Sequence, residues 1–138
     1  MSMFCFQCQE TAGNIGCTVK GVCGKDEGTA QLLDLLVHTL KGIGVVYRNG
    51  NLPDEDVRKA GRMVNEGLFV TITNVNFDPD AIAQKISAAL ALRNELAEKA
   101  GVDASRLPDA ASWTGASRRD FEEKAPEVGV LATENEDI

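Results

Sequence analysis

Aromatic side chains are scarce, at 5% of the 138 residues, and histidine, tryptophan and tyrosine each occur once. A core must therefore be assembled from Leu, Ile, Val and Ala, which favours helices packed on helices. Cations are also short, with 14 Lys and Arg against 21 Asp and Glu, for a formal net charge of −7. That balance argues against nucleic acid, whose phosphates must be met by clustered basic residues, and against an anionic membrane surface. No apolar run approaches the roughly 20 residues that span a bilayer. The opening Met-Ser-Met-Phe-Cys lacks the basic and apolar regions of an export signal. These absences point to a cytoplasmic protein of ordinary globular composition, 43% hydrophobic and 25% charged. No acid–base or nucleophilic constellation stands out beyond the thiols. Glu10, Glu122 and Glu123 read as solvated carboxylates.

What is present falls into an amino-terminal cysteine- and glycine-rich segment, residues 1–28, and a helical remainder, 29–138. The expected fold is mostly α: a partial helical bundle preceded by a Cys/Gly-rich loop. Leu32, Leu33, Leu36, Leu40, Ile43 and Tyr47 recur at helical spacing and predict a helix over 29–48. Asp34, His38, Lys41 and Arg48 form its opposing polar stripe, so His38 reads as solvated or lightly paired. A second helix is predicted over 54–73, with Val57, Ala60, Val64, Leu68, Ile72 and Val75 in register, although Val70-Thr71-Ile72-Thr73 also suits a short strand. A third starts at Asp78-Pro79, a side-chain cap followed by a residue with no N–H to leave unpaired, and ends near Lys99 with Gly101 as its cap. Residues 102–116 read as a surface loop anchored by Trp113, and 117–124 as a short helix. Thr133 and Glu136 have capping-box spacing. No helix can follow before Ile138, which fits equally a chain cut in mid-architecture and an acidic, frayed tail.

All four cysteines lie between positions 5 and 23, as Cys5-x2-Cys8-x8-Cys17-x5-Cys23. Disulfides would need an oxidising compartment, to which nothing here directs the chain. Structural zinc suits four thiolates, but its sites usually present paired short Cys-x2-Cys turns, and here only the first pair is tight. An iron–sulfur cluster is larger than one ion and accepts irregular spacing with one tight pair. The pattern favours it. Gly13, Gly16, Gly21 and Gly24 would let backbone N–H groups approach cluster sulfurs. Phe4 and Phe6 would exclude water from the tight pair. Lys20 and Lys25 could offset local negative charge, although each reads first as an ordinary solvated lysine.

The stretches Met3-Phe4-Cys5-Phe6-Gln7-Cys8-Gln9-Glu10-Thr11 and Gly16-Cys17-Thr18-Val19-Lys20-Gly21-Val22-Cys23-Gly24-Lys25 closely resemble the start of the hybrid cluster (prismane, or hydroxylamine reductase) proteins. So do Leu40-Lys41-Gly42, Thr73-Asn74-Val75-Asn76-Phe77-Asp78 and Leu131-Ala132-Thr133-Glu134-Asn135-Glu136-Asp137-Ile138. The resemblance implies an oxidoreductase that reduces hydroxylamine to ammonia, with nitric oxide as a suggested substrate. It implies that Cys5, Cys8, Cys17 and Cys23 bind an electron-transfer [4Fe-4S] cluster; a longer-spaced branch of the family is associated with a [2Fe-2S] centre. It further implies that residues 29–138 are an incomplete part of the first domain. The family's hybrid iron–sulfur–oxygen centre uses ligands far downstream, so no catalytic residue is expected in this chain, His38 included. The implied partners are an external electron-donor protein and the remaining domains of a parent enzyme, with self-association where surface meant for those domains is bare. The alternative is a non-catalytic, zinc- or metal-stabilised helical interaction module.

Overall fold

The computed structural model describes residues 4–5, 7–8, 12–21, 23–73 and 78–129. Among the described residues there are five α-helices and no strand longer than a single bridge. The helices are α1 (Glu27–Asn49), α2 (Asp54–Thr73), α3 (Pro79–Ala100), α4 (Asp109–Ser112) and α5 (Arg118–Val128).

α1 is the hub, packing against every other helix. It starts two residues earlier than its apolar periodicity suggests, because Asp26 caps it by accepting the Thr29 N–H at 2.8 Å. Its buried residues include Leu32, Leu33, Leu35, Leu36, Leu40, Ile43 and Val46. They wrap most of the helix, as expected of an element surrounded by neighbours. Tyr47 departs from the expected stripe: it is 52% exposed, and Val46 takes the inward place. By length and composition α1 could cross a membrane, but 61% of its apolar window is buried inside the fold, where it serves as a core helix.

α2 has the predicted bounds, and Val70-Thr71-Ile72-Thr73 continues it as helix rather than strand. Its face is rotated from the expected one. Ala60, Gly67 and Thr71 are buried, whereas Leu68 and Ile72 are 43% and 51% exposed. Gly67 explains the rotation: a Cβ there would stand 2.7 Å from Leu40 Cδ1, so α1 seats on the bare backbone. Val75 lies outside the described residues.

α3 has the predicted signals at both ends. Asp78 accepts the Asp80 N–H, Pro79 opens the helix, and Gly101 closes it in the left-handed conformation at φ +67°. Ile82, Ile86, Leu90 and Leu96 face the core, as does Arg93, which is 1% exposed.

Residues 102–116 are more structured than a loop. A 3-10 turn, Ala104–Arg106, leads into α4, whose backbone approaches α1 so closely at Gly42 that any Cβ would collide with the Ala110 carbonyl. Arg93 Nη1 donates to the same carbonyl at 3.1 Å. Trp113 does anchor this region, meeting Phe121 edge-on with ring centroids 6.4 Å apart. α5 opens with a reciprocal capping box between Ser117 and Asp120, buries Phe121 and Ala125, and runs through Pro126, past the predicted end at 124. The Thr133–Glu136 pair lies outside the described residues.

His38 is less free than a solvated stripe residue. Its Nε2 lies 3.0 Å from Asp109 Oδ2, and Asp109 also takes the Lys124 ammonium at 3.0 Å. Burial lowers the His38 pKa, with Asp109 opposing. Burial also pulls Asp109 upward, but Lys124 and His38 outweigh it and hold the carboxyl below its ordinary value. Glu122 and Glu123 are surface carboxylates paired with Arg118 and Arg119 one turn earlier.

Candidate metal centre

The cysteine segment has little apolar material with which to fold. Among its described residues only Cys5 and Cys17 are buried hydrophobes, and they form a small cluster with Ala30, separate from the main core. Backbone hydrogen bonds provide the first element of order. Cys5 N–H donates to Cys17 O at 2.9 Å and Cys17 N–H donates to Cys5 O at 2.8 Å, an isolated antiparallel bridge. In such a mutually bonded pair the Cα atoms stand about 5.5 Å apart, and the two side chains share one face. Two thiols twelve positions apart in sequence are thereby brought together.

None of the four cysteines is joined in a disulfide. Cys8 is half-buried and Cys23 exposed. Exposure therefore rises from the paired Cys5 and Cys17, through Cys8, to Cys23. Among the described residues no three His, Cys, Asp or Glu side chains gather closely enough to hold one metal ion. A lone zinc needs its thiolates within about 2.3 Å of a common point. Four cysteines match the usual ligand set of a cubane.

Burial pushes the Cys5 thiol up, while the Gln7 backbone N–H and the Lys25 ammonium favour its thiolate. Asp34 and Cys17 act in the same upward direction as burial. A thiol in this setting ionises with difficulty unless further positive charge reaches it, which a bound cation or cluster iron supplies.

The glycines act differently from the expectation. The N–H groups of Gly16, Gly21 and Gly24 are given to Ala12 O, Lys25 O and Gly21 O, at 3.3, 2.7 and 2.8 Å. They shape turns rather than point at sulfur. Gly16 also makes room for Phe4, whose ring would lie 2.6 Å from a Cβ at that position. Phe4 thus packs beside Gly16, the chain neighbour of Cys17; Phe6 lies outside the described residues.

The residue most misjudged by sequence is Lys25. It is 1% exposed, and its Nζ donates to Gln7 Oε1 at 2.7 Å and to Thr71 O at 3.3 Å. Gln7 in turn donates through Nε2 to Ala30 O at 3.0 Å and to Asp34 Oδ1 at 2.9 Å. Asp34, placed by periodicity on a solvated stripe, is instead covered by this segment, and burial raises its pKa. Lys20, by contrast, is exposed as expected. Nothing in the local sequence at Gly24-Lys25 signals the buried network.

The chain matches the Prismane/CO dehydrogenase family over residues 3–137. It is 51% identical to a hydroxylamine reductase of Acetivibrio thermocellus over 138 residues, covering 100% of this chain and 25% of that protein. A hydroxylamine reductase of Clostridium perfringens is 48% identical over 143 residues, with 100% and 26% covered. One of Nitratidesulfovibrio vulgaris is 50% identical over 145 residues, with 99% and 26% covered. The chain spans about a quarter of the length of these relatives. Matched along nearly its entire length, including every cysteine, it belongs to the Prismane/CO dehydrogenase family.

Proposed function

We propose that this chain is the electron-transfer portion of a hydroxylamine reductase-like enzyme and that Cys5, Cys8, Cys17 and Cys23 hold a [4Fe-4S] cluster. The observation that carries the reading is the reciprocal Cys5–Cys17 pairing, which joins the two halves of the cysteine pattern on one side of a short bridge. The four cysteines form no disulfide, which is compatible with it, and the names of the relatives support it. Such a cluster, when bound, supplies one-electron storage. The chain's own residues bind it through thiolates, pack Phe4 beside Gly16, and leave the exposed Cys23 open to a donor.

Reduction of hydroxylamine belongs, on this reading, to the parent enzyme, whose catalytic centre draws on residues beyond this chain. The donor is an external protein. The net charge of −7 favours one with a basic face, through steering of the encounter. A four-cysteine cluster site without disulfides suits a reducing compartment, and we place it in the cytoplasm.

Anaerobic reconstitution with iron and sulfide tests the assignment. The expected result is about four irons and about four sulfides per chain, with a visible absorption that bleaches on reduction. Cys17→Ser should lose that cluster and keep its helical circular dichroism. A colourless protein carrying one zinc per chain under the same conditions would overturn the proposal in favour of a metal-stabilised interaction module.

A further inference from the structure

We infer that Lys25 is the positioning residue of the cysteine centre, clamping both cysteine-bearing loops to the helical body and keeping a buried positive charge beside the thiolates. The inference rests on the four-cysteine reading above and adds a residue that is not itself a ligand.

A lysine normally keeps its ammonium in water and buries only its stem. Desolvating that charge is costly unless hydrogen bonds and neighbouring charge compensate. At 1% exposure, Lys25 is as buried as Leu33 or Ile43. If packing alone were required at this position, Leu or Met would fill it without that cost. The surroundings indicate what the charge does.

Three parts of the chain meet at this side chain. Through Gln7 Oε1 it holds the tight loop between Cys5 and Cys8. Through Thr71 O it reaches the last turn of α2, where carbonyls lack helical partners and the helix dipole turns its negative end outward. Through its own backbone it closes the turn that carries Cys23. Gly21 N–H donates to Lys25 O, Gly24 N–H donates to Gly21 O, and Gly24 takes φ +95°, which a side chain would resist. The fit is close, for a Cβ on Gly21 would stand 3.0 Å from Lys25 Cβ. Gln7 continues the network to α1 through Ala30 O and Asp34. One buried cation thus joins the 5–8 loop, the 17–23 loop, α1 and α2.

The electrostatic consequence follows from the sign. Four thiolates and an added electron concentrate negative charge, and a fixed cation in a low-dielectric setting stabilises the reduced form more than the oxidised one.

The test uses the full 138-residue chain, reconstituted anaerobically, as wild type, Lys25→Met and Lys25→Arg. Potentials are read by spectroelectrochemical titration, and folding by circular dichroism of the same samples. Lys25→Met should raise the oxidised-to-reduced ratio at a fixed potential about tenfold, which is 59 mV lower for a one-electron couple. Lys25→Arg, which keeps the charge, should restore most of that shift. Should Lys25→Met instead lose its iron while remaining helical, and Lys25→Arg retain it, the clamping role is upheld directly. An iron-loaded Lys25→Met protein with the wild-type potential overturns the inference and leaves the four-cysteine reading standing. Collapse of the helical body in both variants also overturns it, reducing Lys25 to a packing residue. A wild-type chain that takes up no iron sinks the four-cysteine reading and this inference together.

Discussion

From residue 27 onward the described chain is held by one continuous cluster of buried aliphatic side chains, with α1 at its centre. Among the described residues before 27 there is almost no such material: two buried cysteines, a single backbone bridge and a lysine hydrogen-bonded under the loops. The same chain thus uses two kinds of cohesion. In the helical body, geometry follows from excluding water, which tolerates small shifts of any one contact. In the cysteine segment it follows from a few directional bonds, each of which fixes a particular backbone position. A site that must present four sulfurs in a set arrangement is better built the second way. On the proposed reading it then depends on the body for a floor and on a bound cluster for much of its stability.

The sharpest way to break this contrast is to damage the core. Leu36 is fully buried, and Leu36→Ala should cost about 2–5 kcal/mol in a urea titration, from lost transfer energy plus the cavity left behind. A loss below about 1 kcal/mol would mean that the body is not held as described. The junction between the two regions is expected to matter less. Asp26→Ala removes the cap of α1 and should cost about 1 kcal/mol. The Thr29 backbone N–H, followed by the Thr29 hydroxyl, holds the Asp26 carboxyl below its ordinary pKa. A depressed carboxyl contributes stability that is present above the unfolded value, about 3.9, and lost as pH falls through the folded one. Melting curves at pH 6 and below pH 4 should therefore show the wild-type advantage over Asp26→Ala shrinking in acid. An advantage that is the same at both pH values would show that the carboxylate is not what caps the helix.

The smallest effect on folding is expected at the outer face of α2, where Leu68, Phe69 and Ile72 are 43%, 64% and 51% exposed. Phe69→Gln should change stability by no more than about 0.5 kcal/mol. It should instead reduce concentration-dependent light scattering, since contiguous exposed apolar surface promotes self-association. Wild-type protein that stays monomeric at high concentration would remove the basis for that expectation.

Much of the body was legible in the sequence because its signals are local. The Asp78-Pro79 start and Gly101 stop of α3 are short-range chemistry, and leucine spacing located α1 to within two residues at its start. The failures arose where a distant residue decided the outcome. Periodicity alone could not choose between two neighbouring faces of α2, because the choice depends on Gly67 meeting Leu40. Asp34 looked solvated, and the partner of His38 could not be named, because the segments that meet them, the cysteine loops and α4, lie far away in sequence. The four cysteines were conspicuous by spacing. Lys25 was not, since nothing in a Gly-Lys pair announces that the ammonium turns inward to Gln7 and Thr71.

The carbonyl of Ala110 is shared: Gly42 leaves the space it occupies, and the Arg93 guanidinium donates a hydrogen bond to it. Positions 42, 93 and 110 are therefore not independent in mutation. A larger residue at 42 that displaced the short helix would also remove an acceptor from Arg93, so the two losses would be counted partly twice if measured separately. Substitutions at any of the three should show epistasis, and a change harmful in one background can become neutral in another where the contact has already been broken.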